Sequence, residues 1–180
     1  KTIRWVVTVF LSTVVISGII SLVSDEVMDS SSLPVAFLIL LAIVMVGIVF
    51  DIIGMAVATA DEKPFHSMAA RKVPGSQEAI RLLRNAERVS SICNDVVGDI
   101  VGVVSGSAGS VIALYLAAMG LPTAVASVLI AAFTSAFMIG GKAVGKSIAI
   151  EQSANIVLFV GKAMALFESK KPKRKKNRKN

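Results

Sequence analysis

Apolar and polar positions along the chain alternate in blocks: long uncharged runs are separated by short charged stretches. The first run, residues 5–23, reads WVVTVFLSTVVISGIISLV and carries no charged side chain. About nineteen residues at 1.5 Å of helical rise cover a hydrocarbon layer of about 30 Å, which predicts a first span. Lys1 and Arg4 before it also suit a signal peptide, but the run is long and no small-x-small cleavage pattern follows it. A second run opens at Pro34, is interrupted by Asp51, and resumes to Ala60, predicting a tilted or overlong span over about 34–60. Residues 100–141 form the longest uncharged run, broken near its middle by Gly120-Leu121-Pro122. That length fits two helices folded into a hairpin, with spans over about 95–119 and 122–146 and the turn supplied by glycine and proline.

The expected fold is therefore all-α: a polytopic membrane protein of about four transmembrane helices, forming a single domain over residues 1–168. Residues 61–92 read as a juxtamembrane segment that Pro64 and Pro74-Gly75 divide into a short helix and a longer one, with Ser76 as cap. In the longer piece Ala79, Leu82, Leu83, Ala86 and Val89 recur at helical spacing, while Arg81, Arg84 and Arg88 take another face. A helix of this pattern lies along a membrane surface. Residues 153–168 read as a second surface helix or as a packed extension of the fourth span. The segment 169–180 is a basic run without acids, expected to be a disordered tail drawn to anionic headgroups.

Charge fixes the direction of the spans. The connection between the first two carries Asp25, Glu26 and Asp29 but no base, whereas 61–92 carries Lys63, Arg71, Lys72, Arg81, Arg84 and Arg88. The basic side is cytosolic by the positive-inside rule, so both termini are expected in the cytosol and the protein in the cell membrane. Trp5 and Tyr115 then fall near opposite interfaces. The formal charge of +7 is carried by the basic tail, which holds eight of the nineteen Lys and Arg and no acid, and gives no reason to expect a nucleic-acid partner. Cys93, the single cysteine, excludes an internal disulfide, and no cysteine and histidine cluster suits zinc. His66 has no expected ligand-type partner and reads as a surface residue.

Ionisable groups inside spans are costly and point to function. Asp95 and Asp99 are four apart, hence on one helix face, and Gly98, Gly102 and Gly106 continue it as a doubled GxxxG pattern expected to pack against protein. Lys142 and Lys146 are also four apart, each preceded by a glycine. A hairpin turning near Gly120 and Leu121 puts Asp99 level with Lys142 and Asp95 level with Lys146, so two structural ion pairs are expected. Asp51 can join that layer, leaving an excess of acid where a cation can settle. Carboxylates, Asn94 and backbone oxygens beside glycines form the hard-oxygen donor set that magnesium or sodium prefers.

From Pro34 to about Phe167 the chain resembles the transmembrane domain of the cyclin-M and CorB/CorC group of magnesium and cobalt transport proteins. The stretch Ala58-Thr59-Ala60-Asp61-Glu62-Lys63-Pro64-Phe65 stands where that family has a small-polar, acidic motif closing its first span. Cys93-Asn94-Asp95-Val96-Val97-Gly98-Asp99 corresponds to an asparagine-rich motif opening the next. Gly141-Lys142-Ala143-Val144-Gly145-Lys146 corresponds to a glycine-glutamate motif near the end of the last. The resemblance implies a homodimer that binds and moves Mg2+, with Thr59 and Asp61 joining Asp51, Asn94, Asp95 and Asp99 as metal-site residues. Ala58 and Ala60 replace serines, Lys142 replaces the glutamate, and the first span is additional to the family's three. The paired cystathionine-β-synthase modules of the family are not in this sequence.

Two other classes compete. A non-transporting membrane scaffold uses the glycine face for a dimer and the charges to fix its geometry. An intramembrane aspartyl protease needs two aspartates sharing a proton. Phe50-Asp51 and Gly98-Asp99 resemble fragments of its motifs, but Val96 breaks the Gly-x-Gly-Asp form and the facing lysines oppose a shared proton. No catalytic role is therefore expected.

Overall fold

The computed structural model describes residues 2–29 and 32–169, and among these every regular element is helical. Four helices are long and apolar enough to cross a membrane. The first, α1 (Thr2–Asp29), is longer than the uncharged run 5–23 that predicts it, and the second, α2 (Leu33–Thr59), lies within one residue of the predicted 34–60 at each end. Pro34 sits in the first turn of α2, where its missing N–H costs nothing. Three short helices follow: α3 (Lys63–Ala70), α4 (Ser76–Arg84) and α5 (Ala86–Ser91). A π turn over Ile92–Val97 then leads into α6 (Gly98–Ala118), so that residues 86–118 form one continuous helical rod. The last two helices are α7 (Thr123–Glu151) and α8 (Ser153–Ser169).

The hairpin falls where glycine and proline predict it. Gly120 takes a left-handed φ of 104°. Its N–H donates to the Ala117 carbonyl at 3.0 Å, and that of Leu121 donates to the Leu116 carbonyl at 3.2 Å. This pair of bonds is a Schellman closure, which satisfies the last carbonyls of α6 before Pro122 starts α7. The break between α3 and α4 also falls at Pro74-Gly75, but Ser76 is not the cap. Gly75 occupies the cap position at φ 83°, and the Ser76 hydroxyl donates to the Val73 carbonyl at 2.7 Å. The third and fourth spans run past the expected limits because helices need not end where apolar character does. The basic tail beyond Ser169 lies outside the described residues.

Packing centres on α2, which contacts α6, α7, α8 and the π turn, whereas α1 rests mainly on α6. Two apolar cores result. One joins Ala36, Leu40, Val44 and Ile48 of α2 to Ala108, Ile112 and Ala113 of α6 and to Ala126 and Ile130 of α7. The other gathers Ala56, Val57, Phe65, Ala79, Ile80, Ala149 and Val157 under α3, α4 and α8. Thus α8 is a separate helix folded back onto α2 and α4 rather than an extension of α7. Close approach depends on glycine: a Cβ on Gly161 of α8 would strike the Gly75 carbonyl, and one on Gly141 or Gly145 would strike Ile48 or Ile52. The expected glycine face of α6 behaves differently. Gly98 is buried, but a Cβ on Gly102 or Gly106 would meet nothing within 4 Å, so that face is uncovered within the chain.

Candidate functional site

The polar layer forms where α2, the start of α6 and the second half of α7 converge. Asp51 is carried by α2 one turn beyond Ile48 and Lys142 by α7 next to Gly141, so the glycine contact that seats α7 on α2 also aligns the two charges. Lys142 Nζ lies 3.4 Å from Asp51 Oδ1, with side chains 30% and 17% exposed. The amine also lies 3.5 Å from the position a Cβ on Gly98 would take. That is ordinary van der Waals distance, so the ammonium lies against the Gly98 backbone.

One turn along α2, Gly54 receives the side chain of Asn94, and a Cβ there would overlap the amide oxygen. The Asn94 amide nitrogen donates to Ser90 Oγ at 3.3 Å. Its oxygen, Oδ1, is buried and meets no donor among the described residues. An unsatisfied buried carbonyl costs roughly 1–3 kcal/mol and is the kind of atom that accepts from an ammonium, a water or a cation. Asn94 lies inside the π turn, a feature that widens the helix locally and recurs at functional sites.

Other residues expected at the site lie apart from it. Lys142 pairs with Asp51 rather than Asp99, which is exposed. Asp95 does not meet Lys146; it is exposed and accepts from Ser91 Oγ at 2.9 Å, while Lys146 is also exposed. A hairpin relates its two helices in depth, but depth does not set the direction in which a side chain points. The π turn also shifts the register between Asp95 and Asp99 that four-residue spacing implies in an α-helix. Thr59 is eight residues, about 12 Å of helical rise, beyond Asp51. Its hydroxyl donates to the Met55 carbonyl at 2.9 Å, and Asp61 accepts from the Lys63 N–H at 3.1 Å. Among the described residues no three His, Cys, Asp or Glu side chains are grouped as metal ligands.

A second polar cluster ties α3 to α4. Glu62 Oε1 accepts from Arg84 Nε and contacts His66 Nε2, each at 3.0 Å. The Arg84 hydrogen bond holds the Glu62 carboxyl below the ordinary carboxylate value. His66 therefore has a partner four residues back that the reading of it as a plain surface residue overlooks. The Arg84 contact spans 22 residues of sequence and had no local signal. The sequence reading also passed over Gly54 and Ser90, although a glycine inside an apolar helix is itself a sign of close approach.

No family model matches the chain, and comparison with curated proteins and with solved structures gave no match.

Proposed function

We propose that the chain is a multi-pass protein of the cell membrane, with its basic side cytosolic, whose α2, α6 and α7 handle a cation at the Asp51 layer. The reading joins this site to the resemblance to magnesium and cobalt transport proteins. The observation that carries it is the Asp51–Lys142 contact at 3.4 Å inside a helical bundle. A carboxylate placed there selects positive charge, and the Lys142 ammonium is the positive charge it holds. Asn94 Oδ1, buried and unpaired, offers a neutral oxygen donor one turn away. Lys142 thus acts as a tethered competitor: a divalent cation reaches Asp51 only when the amine swings aside, and its partial exposure leaves a direction for that movement.

The test is uptake of Mg2+ or Co2+ by sealed vesicles containing the purified chain. Transport predicts uptake that Asp51→Asn abolishes and Lys142→Gln raises. Folded protein with no uptake in either the natural chain or Lys142→Gln contradicts it. The second reading, a non-transporting scaffold in which Asp51 and Lys142 fix helix geometry, is favoured by the lack of a three-ligand acidic group among the described residues. Under that reading Lys142→Gln lowers stability and gives no uptake. The protease reading receives no support, because the near partner of Asp51 is an ammonium and Asp99 is exposed.

A further inference from the structure

The two sides of α8 are treated differently by the fold. Val157 is fully buried and Gly161 lies against Gly75, so one side is fixed to α2 and α4. On the other side Phe159 and Leu166, seven residues apart and so nearly in line, are 72% and 71% exposed. Lys162 lies between them, is exposed as well, and is the one charged residue from 153 to 166. Beside this face α8 and α2 diverge and leave a wedge of about 350 Å³. Val49, Ile52 and Ile53 of α2 and Ile156, Phe159 and Val160 of α8 wall it, with Asn155 as the one polar lining residue. Val49 precedes the end of α2 at Thr59 by about 15 Å of helical rise, within a helix apolar enough to cross a membrane. The wedge therefore opens toward hydrocarbon and not toward water.

We propose that the wedge between α2 and α8 holds an acyl chain of an anionic phospholipid, drawn from the leaflet on the side of α3 and α4, with its phosphate against Lys162. Size decides for a lipid over another helix. One turn of a helix 10–12 Å across and 5.4 Å high fills roughly 500 Å³, more than the wedge contains, whereas an acyl chain is far thinner. Charge decides for an anionic headgroup. Lys162 follows Phe159 by three residues, so its stem runs along the same face and carries the amine out to headgroup level while the ring stays beside the chain. No acid between 153 and 166 offsets it. The site rests on the four spans and uses neither Asp51 nor Lys142, so it stands or falls apart from the cation reading.

The experiment is fluorescence quenching of the full-length chain in phosphatidylcholine vesicles that contain a fixed share of lipid with brominated acyl chains, either phosphatidylglycerol or phosphatidylcholine. Trp5, the single tryptophan, is changed to Phe, and Phe159→Trp puts the reporter at the wedge. The brominated anionic lipid is expected to compete for contact about fivefold better than the zwitterionic one, the preference that one base confers. Lys162→Arg keeps that preference and Lys162→Gln abolishes it. Val49→Phe, at a 47% exposed position on the wall, fills the wedge and abolishes it too. Both losses leave the thermal transition unchanged, since neither side chain belongs to the core. Absence of quenching by either lipid places α8 outside the bilayer and overturns the proposal. Equal quenching by the two lipids denies the anionic site and also overturns it. A preference that survives Lys162→Gln or Val49→Phe comes from the general pull of the basic tail and equally overturns it.

Discussion

The helices α1 and α2 are almost equal in length, 28 and 27 residues, and both are apolar enough to span a bilayer, yet α2 lies at the centre of the packing while α1 rests on the outside of α6. None of the apolar window of α1 is buried inside the chain, against 28% of that of α2. The difference lies in small residues at the contacts. In α2, Gly47 admits Val101 and Gly54 admits Asn94, whereas Gly18 of α1 has nothing within 4 Å of its Cβ position. Hydrophobic length places a helix in lipid, where Leu and Ile are as well solvated by tails as by each other. Only close steric fit and polar contacts then draw it to another helix.

Removing a packed side chain should sharpen this contrast most. Ile112, fully buried between α2 and α7, is expected to cost about 3–4 kcal/mol when changed to Ala, while Ile16→Ala on α1, where the side chain is 45% exposed, stays within about 0.5 kcal/mol. Chemical denaturation in one detergent compares the two. Filling a glycine contact comes next. Gly54→Leu is expected to destabilise by about 2–3 kcal/mol because the new side chain displaces Asn94, whereas Gly18→Leu leaves the midpoint unchanged. Equal effects at 18 and 54 would show that α1 is packed as α2 is.

The smallest effect concerns the short helices beside the bundle. Since Arg84 lowers the Glu62 pKa from its ordinary 4.5, the Glu62 contribution is fully present above that value and is lost as pH falls through the depressed one. The natural chain should therefore lose slightly more stability between pH 5 and pH 3 than Glu62→Gln, a difference that thermal melts at about pH 5 and 3 measure. The exposed position of the cluster keeps the difference small.

How much of this was legible in the sequence follows from which forces act locally. Spans and hairpin were readable because uncharged length sets bilayer crossing, while Gly120 readily takes the left-handed φ that closes α6 and Pro122 is held to a φ that cannot continue it. Helix ends were not, since residues 86–97 and 147–151 stay helical through charged and polar positions. The polar layer was half legible. Lys142 faces an aspartate, as the need to neutralise an intramembrane charge requires, but the aspartate is Asp51. A hairpin relates α6 and α7 in depth and leaves open both their rotation and the place of α2, which Gly141 and Gly145 settle by seating Ile48 and Ile52. The glycine face at 102 and 106 was visible as a pattern. Its emptiness within one chain was not, because spacing records that a contact is possible and not which helix makes it.

The account depends most on Asp51 and Lys142 meeting as charges inside the bundle. A double-mutant cycle on unfolding free energy, with Asp51→Asn, Lys142→Gln and both together, isolates that term. It is expected to give a coupling of about 1–3 kcal/mol, the double variant being more stable than the sum of the single losses predicts. Strictly additive losses would mean that the two side chains do not sense each other, and the cation layer built on them would not exist.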